Sequence, residues 1–170
     1  MPKFAQGKFN VKNPDKYVGN KMPTYRSSWE FAFMRFCDEH TSVAQWASEA
    51  IKIPYRHPFT GKHTVYVPDF FIVYEDKNKQ RKAEMIEIKP AGQTLAHAKS
   101  NTQKAAAIVN EAKWQAAKVF CDRQGVGFRV LTEHELFNQP KKRKKRTYSI
   151  PFATLTSLIG PTRFKPRASG

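Results

Sequence analysis

The sequence predicts an α/β protein, a mixed β-sheet flanked by helices, and three observations carry that expectation. A helical spacing of apolar residues begins at Ser28, where Trp29, Phe33, Phe36 and Cys37 share one face. Two strand-like runs follow around a polar turn, and the second, Met85-Ile86-Glu87-Ile88-Lys89, alternates strictly and stops at Pro90. A long helical stretch over 102–124, with Gly125 placed to end it, then leads into a β-type run at 127–131. Strand, helix and strand in that order make a βαβ crossover, so the sheet should hold parallel as well as antiparallel neighbours.

Each element has its own signal. Residues 1–25 alternate Lys, Asn, Gly and Pro with the single aromatics Phe4, Phe9, Tyr17 and Tyr25, show no sustained period, and are expected to form an extended arm. The first helix follows Ser27 and should end near 40–42, with a short helical turn expected at 43–49. Ile51, Ile53 and Tyr55 alternate as a short strand, closed by the turn His57-Pro58-Phe59-Thr60-Gly61. Residues 64–74 are apolar on both parities and rich in β-branched and aromatic types, which predicts one strand buried on both faces. The polar stretch 75–82 turns the chain back into the 85–89 strand, making a hairpin. In the long helix, Ala105, Val109, Ala112, Ala116 and Phe120 form the expected core stripe. Thr132-Glu133-His134-Glu135 reads as a capping box opening a last short helix. After Asn138 the chain becomes Lys141-Lys142-Arg143-Lys144-Lys145-Arg146, a Pro-interrupted apolar segment and a basic end. The expected division is an arm over 1–25, a core over 26–138 and a basic tail over 139–170.

Composition narrows the function. A chain of 170 residues with 40% hydrophobic and 13% aromatic residues can build a core, which excludes general disorder. The formal net charge of +16 favours a polyanionic partner, nucleic acid first. No apolar run approaches the roughly 20 residues that span a bilayer, and the basic start lacks the apolar core of a secretory signal. Cys37 and Cys121 have neither metal-ligand nor disulfide spacing and are expected to be buried, reduced thiols in a cytosolic protein.

The residues that carry chemistry lie on the hairpin. Side chains two apart on a strand share a face, so Glu87 and Lys89 point one way while Ile86 and Ile88 point the other. A hairpin centred on Asn78 pairs residues whose numbers sum to 156, and Asp69 and Glu87 satisfy that sum. Facing carboxylates repel unless a cation sits between them, which points to Mg²⁺ or Mn²⁺. Such a cation polarises a phosphate and acidifies water, and Lys89 could orient that water or offset transition-state charge. Singly, each residue has a plainer reading: Glu87 and Lys89 as a surface ion pair, Asp69 as a turn residue after Pro68. Their combination, with Asp69 inside the most apolar run of the chain, favours a site. Glu30 stands at capping-box spacing from Ser27, so by itself it is as readily a helix cap as a ligand.

The Ser-x-x-Glu at 27–30, the Pro-Asp at 68–69 and the Glu-Ile-Lys at 87–89 resemble the restriction-endonuclease-like, or PD-(D/E)XK, nucleases. That resemblance implies a restriction-endonuclease-like core in which Glu30, Asp69, Glu87 and the main-chain carbonyl of Ile88 hold the metal and Lys89 acts in catalysis. Lys-Asn-Pro-Asp-Lys-Tyr at 12–17, Tyr-Arg-Ser-Ser-Trp-Glu at 25–30, Ile-Pro-Tyr at 53–55, Glu-Ile-Lys-Pro at 87–90, Asn110 to Trp114 and Leu131-Thr132-Glu133 together resemble the head-completion nucleases of contractile-tailed phages. This closer resemblance spans roughly 8–137. It implies an endonuclease acting on packaged DNA ends, with portal or head-completion proteins as partners and neither a membrane nor a small-molecule substrate. The implied location is the host cytoplasm during assembly, or the virion at the head neck.

Other features are weaker. His57 and His63 flank a turn without ligand spacing and are read as loop residues. The six cations Lys141, Lys142, Arg143, Lys144, Lys145 and Arg146 suit DNA phosphates, against a plain solvated tail. Gln103, Lys104, Asn110 and Lys113 follow the active strand on the long helix and are candidates to reach the phosphate. Two alternatives stand beside the phage nuclease: a DNA-binding head protein without catalysis, and a TnsA-like transposase nuclease sharing the Pro-Asp and Glu-x-Lys pattern.

Overall fold

The computed structural model describes residues 5–136. At its centre four strands, β3 (Val43–Ser48), β6 (Phe70–Glu75), β7 (Arg81–Ile88) and β8 (Gly127–Leu131), form a mixed sheet in the order β3-β6-β7-β8. A 12-residue helix, α1 (Ser28–Glu39), packs on one face and a 24-residue helix, α2 (Asn101–Gln124), on the other. A separate antiparallel hairpin, β4 (Ile53–Arg56) with β5 (His63–Tyr66), joins the α2 side. A four-residue helix, α3 (Glu133–Leu136), follows β8.

Alternation along the strands divides the core in two. Phe70, Ile72, Tyr74, Ile86 and Ile88 face α1, where they meet Phe33, Met34 and Cys37. Met85 faces α2, with Trp114, Ala117 and Cys121. β6 and β7 pair antiparallel from Phe70↔Ile86 to Glu75↔Arg81. Their turn is fixed by the Asp76 carboxylate, which accepts the N–H of Asn78 at 2.8 Å and of Gln80 at 3.0 Å. β7 and β8 pair in parallel, as a βαβ unit requires.

Three sequence expectations need correction. Residues 43–49 form strand β3 instead of a helical turn. The pairing of β3 with β6 slips between Val43 and Gln45, and that bulge returns Val43 and Trp46 to the same core, giving buried positions the spacing of a helix. The run 64–74 is two strands in two sheets, since Pro68 lacks the N–H that a continuous strand would donate. On α2 the buried residues are Ala107, Asn110, Trp114, Ala117 and Cys121, so the core stripe is rotated from the expected one and Ala105 is exposed. The ends of α2 match their signals: Ser100 and Gln103 complete a capping box, and Gly125 closes the helix at φ 67°.

The N-terminal segment is packed, with β1 (Gly7–Lys8) paired to β2 (Thr24–Tyr25). Phe9 is only 5% exposed and meets Trp46 edge-on. The motif at 12–17 clasps the end of α1. Fully buried Asp38 accepts the backbone N–H groups of Lys12 at 2.8 Å and Asn13 at 3.2 Å. Lys16 Nζ donates to the carbonyls of Asp38 and His40, a cation at a helix C-terminus. Val18 donates to the Trp46 carbonyl at 2.9 Å, which covers the β3 edge. Cys37 and Cys121 are buried free thiols, one in each core; burial raises both, Cys121 to about 11, leaving them unreactive. No helix among the described residues is long and apolar enough to cross a membrane.

Candidate active site

Asp69 lies one residue before the β6–β7 ladder begins, and Glu87 one step past its last pair. The observed register thus carries Asp69 onto Glu87. Their groups interlock: Asp69 N–H donates to Glu87 Oε2 at 3.3 Å, and Ile88 N–H donates to Asp69 Oδ2 at 2.8 Å. Lys89 Nζ sits 3.1 Å from Glu87 Oε1, so the three charged side chains form one cluster. Glu87 is 3% exposed, a burial that an ionised carboxylate tolerates only with partners.

One of those partners escaped the sequence reading. Tyr66, at the end of β5 and itself buried, donates its hydroxyl to Glu87 Oε2 at 2.8 Å. An aromatic in an apolar strand looks like core, and nothing in its spacing reveals that its oxygen ends at a carboxylate. On α2, Lys113 holds its ammonium about 6 Å over the rings of both Tyr55 and Tyr66, close to the site. Its neighbours on that helix have other places. Asn110 Nδ2 donates to the Gln93 carbonyl, Gln103 caps the helix, and Lys104 is exposed.

Glu30 does two things. Its carboxylate accepts the Arg26 N–H at 2.9 Å and the Ser27 hydroxyl at 3.1 Å, while its own N–H donates to Ser27 Oγ, so it caps α1. Its charge also acts on Asp69 and Lys89. Arg26 pairs with Glu49 and feels the charges of Glu30 and Asp69, a second cation beside the site that the sequence reading missed.

The electrostatics follow from this crowding. Burial, then repulsion from Glu87, raises the Asp69 carboxyl well above the usual carboxylate range, against the pull of the Ile88 N–H and Lys89. For Lys89, burial is the largest single influence and draws the amine down, yet Glu87 and Asp69 outweigh it and hold the ammonium above its usual value. Lys89 is therefore charged at neutral pH, and Asp69 lacks sufficient positive charge nearby. Among the described residues no three His, Cys, Asp or Glu side chains converge into a ready metal group. The structure brings together the Asp69 and Glu87 pair with Lys89, with Glu30 acting on them through its charge. The residues Lys141, Lys142, Arg143, Lys144, Lys145 and Arg146 lie outside the described residues.

Residues 40–133, spanning the hairpin and its acidic pair, match the family model for the TnsA-like endonuclease N terminal. The chain belongs to this family of endonucleases, whose restriction-endonuclease-like fold is the one its mixed sheet and two covering helices build. It is also 34% identical over 142 residues to the head completion nuclease of Enterobacteria phage T4, an alignment covering 76% of this chain and 92% of that protein. The TnsA-like and phage-nuclease readings therefore do not compete at the level of family. Glu30 precedes the residues of the family match.

Proposed function

We propose that this chain is a Mg²⁺- or Mn²⁺-dependent DNA endonuclease of phage head completion, acting on packaged DNA ends through Asp69, Glu87 and Lys89. The observation that carries this reading is the interlocked Asp69 and Glu87 pair beside a charged Lys89. The donor set fits a hard dication. Tyr66 and the Asp69 N–H both engage Glu87 Oε2, and Ile88 N–H engages Asp69 Oδ2. Asp69 Oδ1 and Glu87 Oε1, the latter now paired with the Lys89 ammonium at 3.1 Å, are the oxygens that would meet a cation, and burial followed by the charge of Glu87 raises the Asp69 carboxyl that such a cation would stabilise.

Asp69, Glu87 and the Ile88 carbonyl would hold the ion, with Glu30 adding negative charge from the start of α1. A divalent cation in that position polarises the scissile phosphate and lowers the pKa of nearby water. Lys89 donates hydrogen bonds to the attacking water or to a non-bridging phosphate oxygen, where charge grows in the transition state. The Ile88 N–H and Tyr66 hydroxyl keep both carboxylates in place before substrate arrives.

The name of the phage relative supports a role in head completion; the partners we propose are portal or head-completion proteins, met in the host cytoplasm during assembly or at the head neck of the virion. The six cations at 141–146 serve as a phosphate-binding tail. Incubating the purified full chain with supercoiled and linear DNA in Mg²⁺, Mn²⁺ or EDTA tests the activity. Cleavage with either metal and none in EDTA is expected. Cleavage that survives EDTA would overturn the metal reading, and binding without cleavage under every condition would favour a non-catalytic DNA-binding head protein.

A further inference from the structure

The segment that joins Glu49 to Asp69 contains no aspartate or glutamate, while it holds Lys52, Arg56, Lys62, His57 and His63. It folds into the β4–β5 hairpin, separate from the central sheet. Alternation divides its faces. Ile53, Tyr55 and Tyr66 pack inward against Trp114 and Ala117 of α2, while Lys52, Arg56 and His63 are exposed, Arg56 directly across from His63. Among the described residues Lys52, Arg56 and Lys62 have no carboxylate partner, unlike Lys12, Arg26, Lys79, Lys82, Lys89 and Arg129. Like charges gathered without counter-charge suit a polyanion.

The hairpin tip is built to a fixed shape. His57 Nδ1 accepts the N–H groups of Phe59 and Thr60, both at 3.3 Å, and His57 exchanges backbone bonds with Gly61 and Lys62 at 2.8 Å. Arg56 Nε donates to the Gly61 carbonyl, and Gly61 takes φ 67°, which a side chain would strain. On this turn Phe59 stands 59% exposed, the outermost ring of a series Tyr55, His57, Phe59 with centroids 6.5 and 6.1 Å apart. The other end of the hairpin is Tyr66, bonded to Glu87. With a strand rise of about 3.4 Å per residue, the tip stands roughly 15 Å along the hairpin from Tyr66, the residue that holds Glu87. That is about four to five nucleotide steps along a duplex.

We propose that the β4–β5 hairpin is a DNA-binding arm that sets the scissile phosphate by contacting phosphates through Lys62, Arg56 and Lys52 and stacking Phe59 on an unpaired base at the DNA end. This rests on the endonuclease reading of the Asp69 site. The test uses the full chain in EDTA with a duplex whose single-stranded overhang carries 2-aminopurine, a base whose fluorescence is quenched on stacking.

Wild type should bind and quench. Phe59→Ala, which removes an exposed ring and leaves the core intact, should lose the quench and bind on the order of tenfold weaker. Lys62→Ala should keep the quench and lower the slope of log K against log salt by about 0.9. Phe59→Ala that quenches and binds like wild type would overturn the arm while leaving the endonuclease reading intact. Wild type that fails to bind the duplex in EDTA, or to cut it once Mg²⁺ replaces the EDTA, would instead sink that reading itself. An unfolding transition of Phe59→Ala at the wild-type temperature shows that the missing quench comes from the missing ring and not from a damaged fold.

Discussion

Replacing Tyr66 by Phe removes one oxygen atom and keeps the ring that packs in the core and lies under Lys113. It deletes a buried 2.8 Å hydrogen bond to Glu87 Oε2, leaving that oxygen with the Asp69 N–H at 3.3 Å. A hydrogen bond to a charged group contributes about 1.5–3 kcal/mol, or roughly 10- to 150-fold in an equilibrium. If the hydroxyl fixes Glu87 for a cation, the effect appears in metal dependence. The Mg²⁺ concentration for half-maximal cleavage should rise on the order of tenfold, with the rate largely restored at saturating metal and DNA affinity unchanged. Urea unfolding of the metal-free variant should show a loss of about 1–3 kcal/mol. A metal titration identical to wild type, with stability reduced, would refute the reasoning and make Tyr66 a core residue only.

Lys89→Ala should abolish cleavage and leave DNA binding near wild type, because one ammonium among 30 Lys and Arg adds little to affinity yet acts where transition-state charge grows; rate and binding are measured on one substrate. The acidic limb of the pH–rate profile should lie above the ordinary carboxylate value of 3.8, since the Asp69 carboxyl is raised, and more Mg²⁺ should push it to lower pH by competing with the proton. The same shift acts on stability. A carboxyl raised in the fold binds more protons folded than unfolded, so the metal-free protein recovers stability as pH falls through the raised value toward 3.8. Denaturant midpoints across that window check the sign. Removing the residues after Asn138 should flatten the salt dependence of DNA binding, by about 0.9 in slope for each phosphate that the tail neutralises.

The site was more legible than the sheet around it. Strand alternation puts Glu87 and Lys89 on one side of β7 whatever surrounds them, and a polar turn centred at Asn78 sets a register that the observed Phe70↔Ile86 pair continues. Neither inference needs knowledge of the rest of the fold. Strand β3 was hidden because its bulge gives buried residues a helical spacing. The β5–β6 break was hidden because a run apolar on both parities carries no phase, and only Pro68 marks the place. Tyr66 and Arg26 became visible once the hairpin and the start of α1 were placed in space, since long-range hydrogen bonds and charge coupling leave no local pattern. Asp38 is a related case: a buried carboxylate that holds Lys12 and Asn13 reads in sequence as one more surface charge on a helix.

The central claim is that Asp69 and Glu87 hold a divalent cation that DNA hydrolysis requires. Calorimetric titration of Mn²⁺ into the full chain and its Asp69→Asn variant, with plasmid cleavage scored in the same buffers, tests it most directly. The account predicts that wild type binds the metal and cuts, while Asp69→Asn does neither yet unfolds no earlier, having lost a carboxylate that burial and Glu87 disfavour. An Asp69→Asn protein that binds Mn²⁺ and cleaves DNA like wild type would contradict it.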